Sequence, residues 1–102
     1  MATLTDILIQ ELDKYTGVGI NAIAVPVYDL KRQHYAVAAL DYPARDEPAD
    51  MIILARIVDD KIIIDEDTTD KKLVDALLQQ GVARDRIILA YQGEPAPEFQ
   101  LA

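Results

Sequence analysis

The sequence predicts an α+β fold, in which two helices pack on one antiparallel, meandering sheet. An apolar stripe with helical spacing opens the chain, and four strand-like runs follow it with no helix between them. A second amphipathic stretch then precedes one last short strand. These observations predict the order α-β-β-β-β-α-β, in a single domain that spans residues 1–102.

The first helix is predicted over residues 3–16. The apolar residues of its buried face are Leu4, Ile7, Leu8, Leu12 and Tyr15. Thr3 followed by Asp6 resembles a capping box, in which each side chain accepts a hydrogen bond from the other residue's amide. Gly17 and Gly19 are expected to end this helix.

Four strand-like runs are separated by polar turns, and they cover residues 20–28, 33–42, 51–58 and 61–65. Because Pro26 has no amide hydrogen, the first run is expected at a sheet edge or kinked at that residue. Asp59 and Asp60 are expected to form a two-residue turn. β-Branched residues occupy both faces of the third and fourth runs. This pattern predicts that these two strands lie at the centre, covered on both sides or paired with another subunit.

The second helix is expected to start within Asp67-Thr68-Thr69-Asp70, because a Thr or Asp side chain can cap the first free amides. Asp70 also favours the positive end of the helix dipole. The buried stripe is Leu73, Val74, Leu77 and Leu78. Gly81 is expected to end the helix.

The C-terminal part is predicted to hold a fifth strand over residues 87–91, followed by a tail from Gly93. The tail contains two prolines and has no pattern typical of a helix or a central strand. Phe99 and Leu101 could dock back on the domain, although chain ends are often loosely held.

Composition and charge exclude several classes of function. The chain has 10 basic and 18 acidic residues, a net charge of −8, and no basic cluster beyond pairs, so we expect no direct binding of nucleic acid. It has no cysteine and no serine, which excludes disulfides, thiolate metal sites and Cys or Ser nucleophiles. Its glycines form no phosphate-binding loop. With no apolar run long enough for a membrane span, the expectation is a soluble, cytoplasmic protein.

Two groups of residues are candidates for chemistry or binding. His34 is the only histidine, so a general base beside Arg32 is conceivable, but no Ser or Cys supports it and a partner contact or a structural role is favoured. Asp65, Asp67 and Asp70 could hold Mg²⁺ as in a nuclease. They match no metal-binding motif, however, and acidic residues beside a turn and a helix start are more typical of capping and of a solvated face.

Several motifs together resemble one protein family. Residues 60–91 contain Asp-Lys-Ile-Ile-Ile, Asp-Thr-Thr-Asp, Gly-Val and Asp-Arg-Ile-Ile-Leu-Ala-Tyr in that order. Arg32-Gln33-His34-Tyr35 begins the second strand, and Phe99-Gln100-Leu101-Ala102 closes the chain. In order, spacing and total length, these motifs resemble the XisI family of element-excision controlling factors, which are abundant in cyanobacteria. Ile63 replaces the family's Trp and Ala83 its Pro, so the chain looks like a divergent member.

The resemblance implies a non-enzymatic accessory factor for the site-specific excision of a DNA element. XisI-like proteins act with a site-specific recombinase and a companion XisH-like protein, so the implied activity is the binding of one of these. No catalytic residue, cofactor or metal is expected. The candidate partner-binding residues are Arg32, His34, Asp65, Asp67, Thr69 and Asp70. A sheet that is apolar on both faces in so small a chain also predicts a homodimer or a higher homo-oligomer.

Two other hypotheses remain open at this stage. The chain could be an oligomeric structural module with no direct role on DNA, or a metal-dependent nuclease that uses Asp65, Asp67 and Asp70. Partner binding predicts that acidic residues spread over one face, whereas the nuclease predicts that the three carboxylates converge. On the partner hypothesis, reversing these three residues to Lys slows association and leaves the fold intact.

Overall fold

Both helices lie on one face of a six-stranded sheet in the computed structural model, which describes residues 2–99 and 101. The elements are α1 (Leu4–Asp13), β1 (Gly17–Gly19), β2 (Ala22–Asp29), β3 (His34–Asp41), β4 (Asp50–Val58), β5 (Lys61–Asp67), α2 (Leu73–Gln79) and β6 (Ile87–Leu89). The strands follow one another in chain order across the sheet. This arrangement confirms the predicted α+β fold. In the part of the chain that the structure describes, no helix is long and apolar enough to cross a membrane.

The main core lies between the sheet and the two helices. Leu8 and Leu12 of α1 and Leu73 and Leu77 of α2 are fully buried there, as the spacing of the apolar residues predicts. Burying one such side chain stabilises the fold by about 1.5–3 kcal/mol. The sheet contributes alternate residues to the same core: Tyr35, Val37, Ile53, Ala55, Ile62 and Ile64.

The first helix starts as predicted and ends earlier than predicted. Thr3 Oγ1 accepts from the Asp6 amide at 3.1 Å, and Asp6 Oδ2 accepts from the Thr3 amide at 3.2 Å, which confirms the capping box. The helix ends at Asp13. Gly17 and Gly19 lie beyond it in β1, a short strand that the sequence analysis did not predict, so the sheet has six strands instead of five.

The meander prediction holds for β1 to β5 and is wrong for β6. β6 runs parallel to β5, in the register Ile62↔Ile87 to Ile64↔Leu89. The reason is α2, because a crossover helix between two strands returns the chain in the same direction. β6 ends at Leu89, and the predicted strand residues after it form a 3₁₀ turn, Ala90–Gln92.

Two predictions about β-strand residues are confirmed. Asp59 and Asp60 have φ angles of 50° and 61°, as the central residues of a type I′ turn require. β1 pairs only with the first three residues of β2, so Pro26 faces no strand on that side. In the central strand β5, Ile63 is fully buried although both helices lie on the opposite face.

The second helix starts later than predicted. Its first residue is Leu73, and the residue before it makes no side-chain cap. Asp67 caps from a distance instead, because its Oδ2 accepts from the Leu73 amide at 2.8 Å. The residues between them form a loop, and the end of the helix follows the prediction, since Gly81 has a φ of 92°.

Candidate functional site

The face of the sheet without helices carries a row of residues that crosses five strands. Cross-strand pairing aligns Asp29 of β2, His34 of β3, Arg56 of β4, Ile63 of β5 and Ile88 of β6. The residues on either side of Arg56 in β4 point the other way, as Ala55 does into the helix-side core. The row therefore marks one end of the helix-free face.

Arg56 is the centre of this row and is 3% exposed. Its Nε lies 2.9 Å from Asp65 Oδ2, and its Nη2 lies 3.4 Å from Asp65 Oδ1. Asp65 is the extra residue of a β-bulge, because Ala55 pairs with Ile64 and Leu54 with Glu66. Asp65 lies on the same face as Arg56 because it is two residues from Ile63, the cross-strand partner of Arg56.

The C-terminal tail completes the surroundings of Arg56. Nη2 donates to the Pro97 carbonyl at 2.7 Å, and Nη1 donates to the Glu98 carbonyl at 3.2 Å. The Phe99 ring covers the guanidinium, with Cζ 4.0 Å from the ring centroid. The edge of the same ring meets His34, with 6.2 Å between centroids. Phe99 thus docks on the domain, whereas Leu101 is 78% exposed.

We call this group the Arg56 site: Arg56, Asp65, His34, Phe99 and the carbonyls of Pro97 and Glu98. A cavity of about 250 Å³ opens beside it, lined by Arg32, His34 and Arg56 among others. Arg32 is exposed, and its Nη1 lies 3.2 Å from Asp29 Oδ2. The amide of Arg32 also donates to Asp29, and this bond is the main reason that the pKa of Asp29 falls below its ordinary value.

Further along the same strands, the helix-free face is apolar. The cross-strand pairs place three rows there, and we call their residues the open face: Ile23, Val25, Val27, Ala36, Ala38, Leu40, Met51 and Leu54. Val27 is 55% exposed and Met51 47% exposed. The alanines in the middle of the face leave it flat. Contiguous apolar surface of this kind is a candidate site of interaction.

Asp67 and Thr69 form a second, separate cluster between β5 and α2. Asp67 is 4% exposed, and its Oδ1 accepts from the Thr69 amide at 2.9 Å and from the Thr69 hydroxyl at 2.6 Å. Its Oδ2 accepts from Leu73. Asp70 is exposed and lines a cleft of about 580 Å³ between the two helices, where Lys14 pairs with the buried Glu11 at 2.9 Å.

The six candidate binding residues thus fall into two places. Arg32, His34 and Asp65 lie at the Arg56 site, whereas the other three lie in the connection from β5 to α2. Asp65 is bound to an arginine and Asp67 to backbone amides. Within residues 2–99 and 101, no group of three acidic or histidine side chains is placed to hold a metal ion.

Sequence reasoning missed Arg56 and the tail that covers it. The available signal was an arginine inside the apolar run of β4, at a position where a strand buried on both faces has no room for an unpaired charge. Nothing local in the sequence indicates that residues 97–99, about 40 positions later, supply its acceptors.

The comparisons with known proteins agree with the fold. The sequence model of the XisI protein family matches residues 2–100. A XisI-like protein from Anabaena variabilis is 21% identical, with a TM-score of 0.69 over 88% of this chain and 82% of that chain. The fdxN element excision controlling factor XisI from the same organism is 27% identical, with a TM-score of 0.62 over 82% of this chain and 86% of that chain. A search of curated proteins found no match.

Proposed function

The chain belongs to the XisI family, and we propose that it is a non-enzymatic controlling factor that acts in the excision of a DNA element by binding another protein. The partner on this proposal is a companion XisH-like protein or the recombinase complex, and no cofactor or metal ion takes part. The family match and the neighbour named as an excision controlling factor support the role in excision. The surface of the sheet supports binding as the means.

Two surfaces carry the proposal, the open face for a second copy and the acidic surface for the companion protein. Both helices cover the opposite side of the sheet, and the C-terminal tail covers only the end of the helix-free side, around Arg56. Val27 and Met51 consequently expose about half of their surface to water. Covering these side chains with a second protein surface is favourable by about 25 cal/mol for each Å² of apolar area.

We assign the open face to self-association, so that the protein is a homodimer. The three apolar rows across β2 to β4 include no charged side chain, so two copies with a net charge of −8 can meet there without placing like charges opposite each other. A two-fold axis would place the same residues on both sides of the contact.

The companion protein is assigned to the acidic surface outside the open face. An excess of eight acidic residues attracts a basic partner and speeds the encounter at low salt. Arg32 and His34 remain candidate contacts at the accessible rim of the Arg56 site, and Asp70 is the exposed candidate at the helix cleft. We assign a structural role to Asp65, Asp67 and Thr69, because their polar atoms form hydrogen bonds within the chain.

The structure changes one mutational test. The sequence alone predicts that reversing three aspartates to Lys leaves the fold intact, but two of them hold buried groups, so the test is restricted to Asp70. Co-purification with the XisH-like protein is measured on a sizing column at low salt and at about 0.5 M salt, where screening shortens charge interactions to a few ångströms. We expect that the complex becomes weaker as the salt concentration rises. We also expect that Asp70→Lys weakens the complex about fivefold.

Asp46→Lys is the matched control, because Asp46 is equally exposed and lies in the loop before β4. If both variants weaken the complex equally, net charge alone accounts for the effect. Separate elution of the two proteins at both salt concentrations would overturn the binding proposal. The self-association would then stand alone, as in an oligomeric module with no direct role on DNA.

The pairing of open faces has its own test. Val27→Lys places a charge within the open face and is expected to give a monomer by sedimentation. Leu78→Lys is the control, because Leu78 is 39% exposed on α2, which lies on the opposite side of the sheet. A dimer that survives Val27→Lys would show that the copies meet elsewhere.

A further inference from the structure

After Glu94, the described part of the tail that covers Arg56 is held to the domain by contacts with domain side chains. The last backbone hydrogen bond between the tail and the domain joins the Glu94 amide to the Leu89 carbonyl at 3.2 Å. Among the described residues after Glu94, the hydrogen bonds to the domain are those that Arg56 makes to Pro97 and Glu98. The tail therefore occupies its site as an extended peptide ligand does, without becoming a strand of the sheet.

The base of the tail is firmly fixed, which defines where it can pivot. Glu94 Oε1 accepts from the Leu89 amide at 2.8 Å, and Oε2 accepts from Arg84 at 2.8 Å. Pro95 and Pro97 follow and favour an extended backbone with about 3.1 Å per residue. From Glu94 to Phe99 the tail therefore reaches about 15 Å, whereas two sheets packed face to face lie about 10 Å apart.

The Arg56 site and the open face lie on the same side of the sheet, in adjacent rows. The row of His34 and Arg56 is followed along the strands by the row of Val27, Ala36 and Leu54. A second copy that covers the open face, with the two Arg56 rows side by side, brings its own Arg56 site within reach of this tail.

We propose that the tails are exchanged in the dimer, so that Pro97, Glu98 and Phe99 of one copy bind Arg56 and His34 of the other. This inference rests on the proposed pairing of open faces and adds a specific contact to it. Arg56 donates to backbone carbonyls, which any extended segment offers. Selectivity comes from the aromatic ring, which fits between a guanidinium and an imidazole.

The area of the contact favours exchange. Three strands about 4.8 Å apart and about six residues long give the open face a footprint of about 300 Å² in each copy. A pair of such faces buries about 600 Å², which is less than the roughly 1,000 Å² of a stable interface. Each exchanged tail adds about half of a phenylalanine's roughly 150–250 Å², since Phe99 is 50% exposed when docked, and it adds the receptor surface that the ring covers. Together these areas bring the total close to that value.

A complementation experiment separates exchange from docking within one chain. Phe99→Ala removes the tail anchor, and Arg56→Leu removes its receptor. Each variant alone is expected to dimerise about tenfold more weakly than the unchanged chain, as the loss of one buried contact implies. If tails are exchanged, a mixture of the two variants forms a heterodimer with one intact site, so native mass spectrometry shows more heterodimer than random pairing of the two chains gives. If each tail docks on its own chain, every site in the mixture is broken and mixing has no effect.

A second measurement decides the question if Arg56→Leu does not fold. The chain has no cysteine, so in the double variant His34→Cys/Phe99→Cys only the two introduced thiols can form disulfides. Mild oxidation gives a covalent dimer if tails are exchanged and a closed monomer if they are not. His34→Cys alone is the control for random cross-linking. If the protein is a dimer but each disulfide lies within one chain, the exchange is overturned and the pairing of open faces stands. If the protein is monomeric in every form, both proposals are overturned.

Discussion

Replacing Asp67 with alanine should be among the most destabilising single changes outside the apolar core. The carboxylate is 4% exposed and accepts three hydrogen bonds, from the Leu73 amide at 2.8 Å, the Thr69 amide at 2.9 Å and the Thr69 hydroxyl at 2.6 Å. Alanine leaves the buried Leu73 amide without an acceptor, which costs about 1–3 kcal/mol. It also removes the two bonds that fold the loop before α2, at about 0.5–1.5 kcal/mol each.

The expected total is a loss of about 3 kcal/mol in the free energy of unfolding, out of the roughly 5–15 kcal/mol of a typical domain. The melting temperature of a chain of this size should fall by about 12–24 °C. Asp67→Asn keeps one acceptor oxygen and should lose about half as much. The assay is urea unfolding followed by far-ultraviolet circular dichroism, with the urea dependence of the free energy compared between variants.

Asp70→Asn is the matched control, because Asp70 is exposed and lies in the same loop. Its free energy of unfolding should change by no more than about 0.5 kcal/mol. If Asp67→Ala loses less than about 1 kcal/mol with an unchanged urea dependence, capping of α2 from six residues away is not what fixes this loop. Equal losses in the two variants would refute the argument as well, since they would assign the effect to charge and not to buried hydrogen bonds.

Three further predictions concern single polar groups. Tyr35→Phe should leave stability unchanged or raise it by up to about 1 kcal/mol in a thermal melt, because the Tyr35 hydroxyl is buried without a hydrogen-bond partner among the described residues. Burial and the bond donated to Asp13 at 2.8 Å raise the pKa of Tyr28, so its neutral form is the one that stabilises the fold. Stability should fall as the pH rises above about 10, the ordinary tyrosine value, and Tyr28→Phe should reduce that loss in unfolding measured against pH. The hydrogen bond from the Leu89 amide lowers the pKa of the Glu94 carboxyl. Glu94 therefore stabilises the fold above about pH 4.3, and this stabilisation is lost as the pH falls further. Glu94→Gln should reduce this dependence of the free energy of unfolding on pH.

The parts of the fold that the sequence predicts are those in which a pattern repeats. α1 buries one helical stripe, the strands β2 to β5 direct alternate residues to the helix side of the sheet, and the turn at Asp59 and Asp60 separates two such strands. β1 could not be predicted in this way, because all of its three residues are exposed and two are glycines. Its existence depends on the pairing of Gly17 with Ala24, which no local pattern encodes.

The site was harder to predict than the fold, because its contacts join distant residues. Asp67 was recognised as a capping residue, but the amide that it caps lies six residues away instead of two or three. Arg32, His34 and Asp65 were selected for their chemistry alone. What brings them to one place is the register of β2 to β5, which side-chain periodicity does not reveal.

Arg56 shows why the tail matters more than its few apolar contacts suggest. A guanidinium at 3% exposure must replace its lost water with other acceptors, and removing one partner of a buried charge typically costs about 3–5 kcal/mol. Asp65 accepts from Nε and Nη2, and the tail carbonyls accept from Nη1 and Nη2. The sheet therefore requires a peptide at this position, whether its own or that of a second copy. An arginine in the middle of an apolar strand is therefore the sign in this sequence that another segment must supply hydrogen-bond acceptors for it.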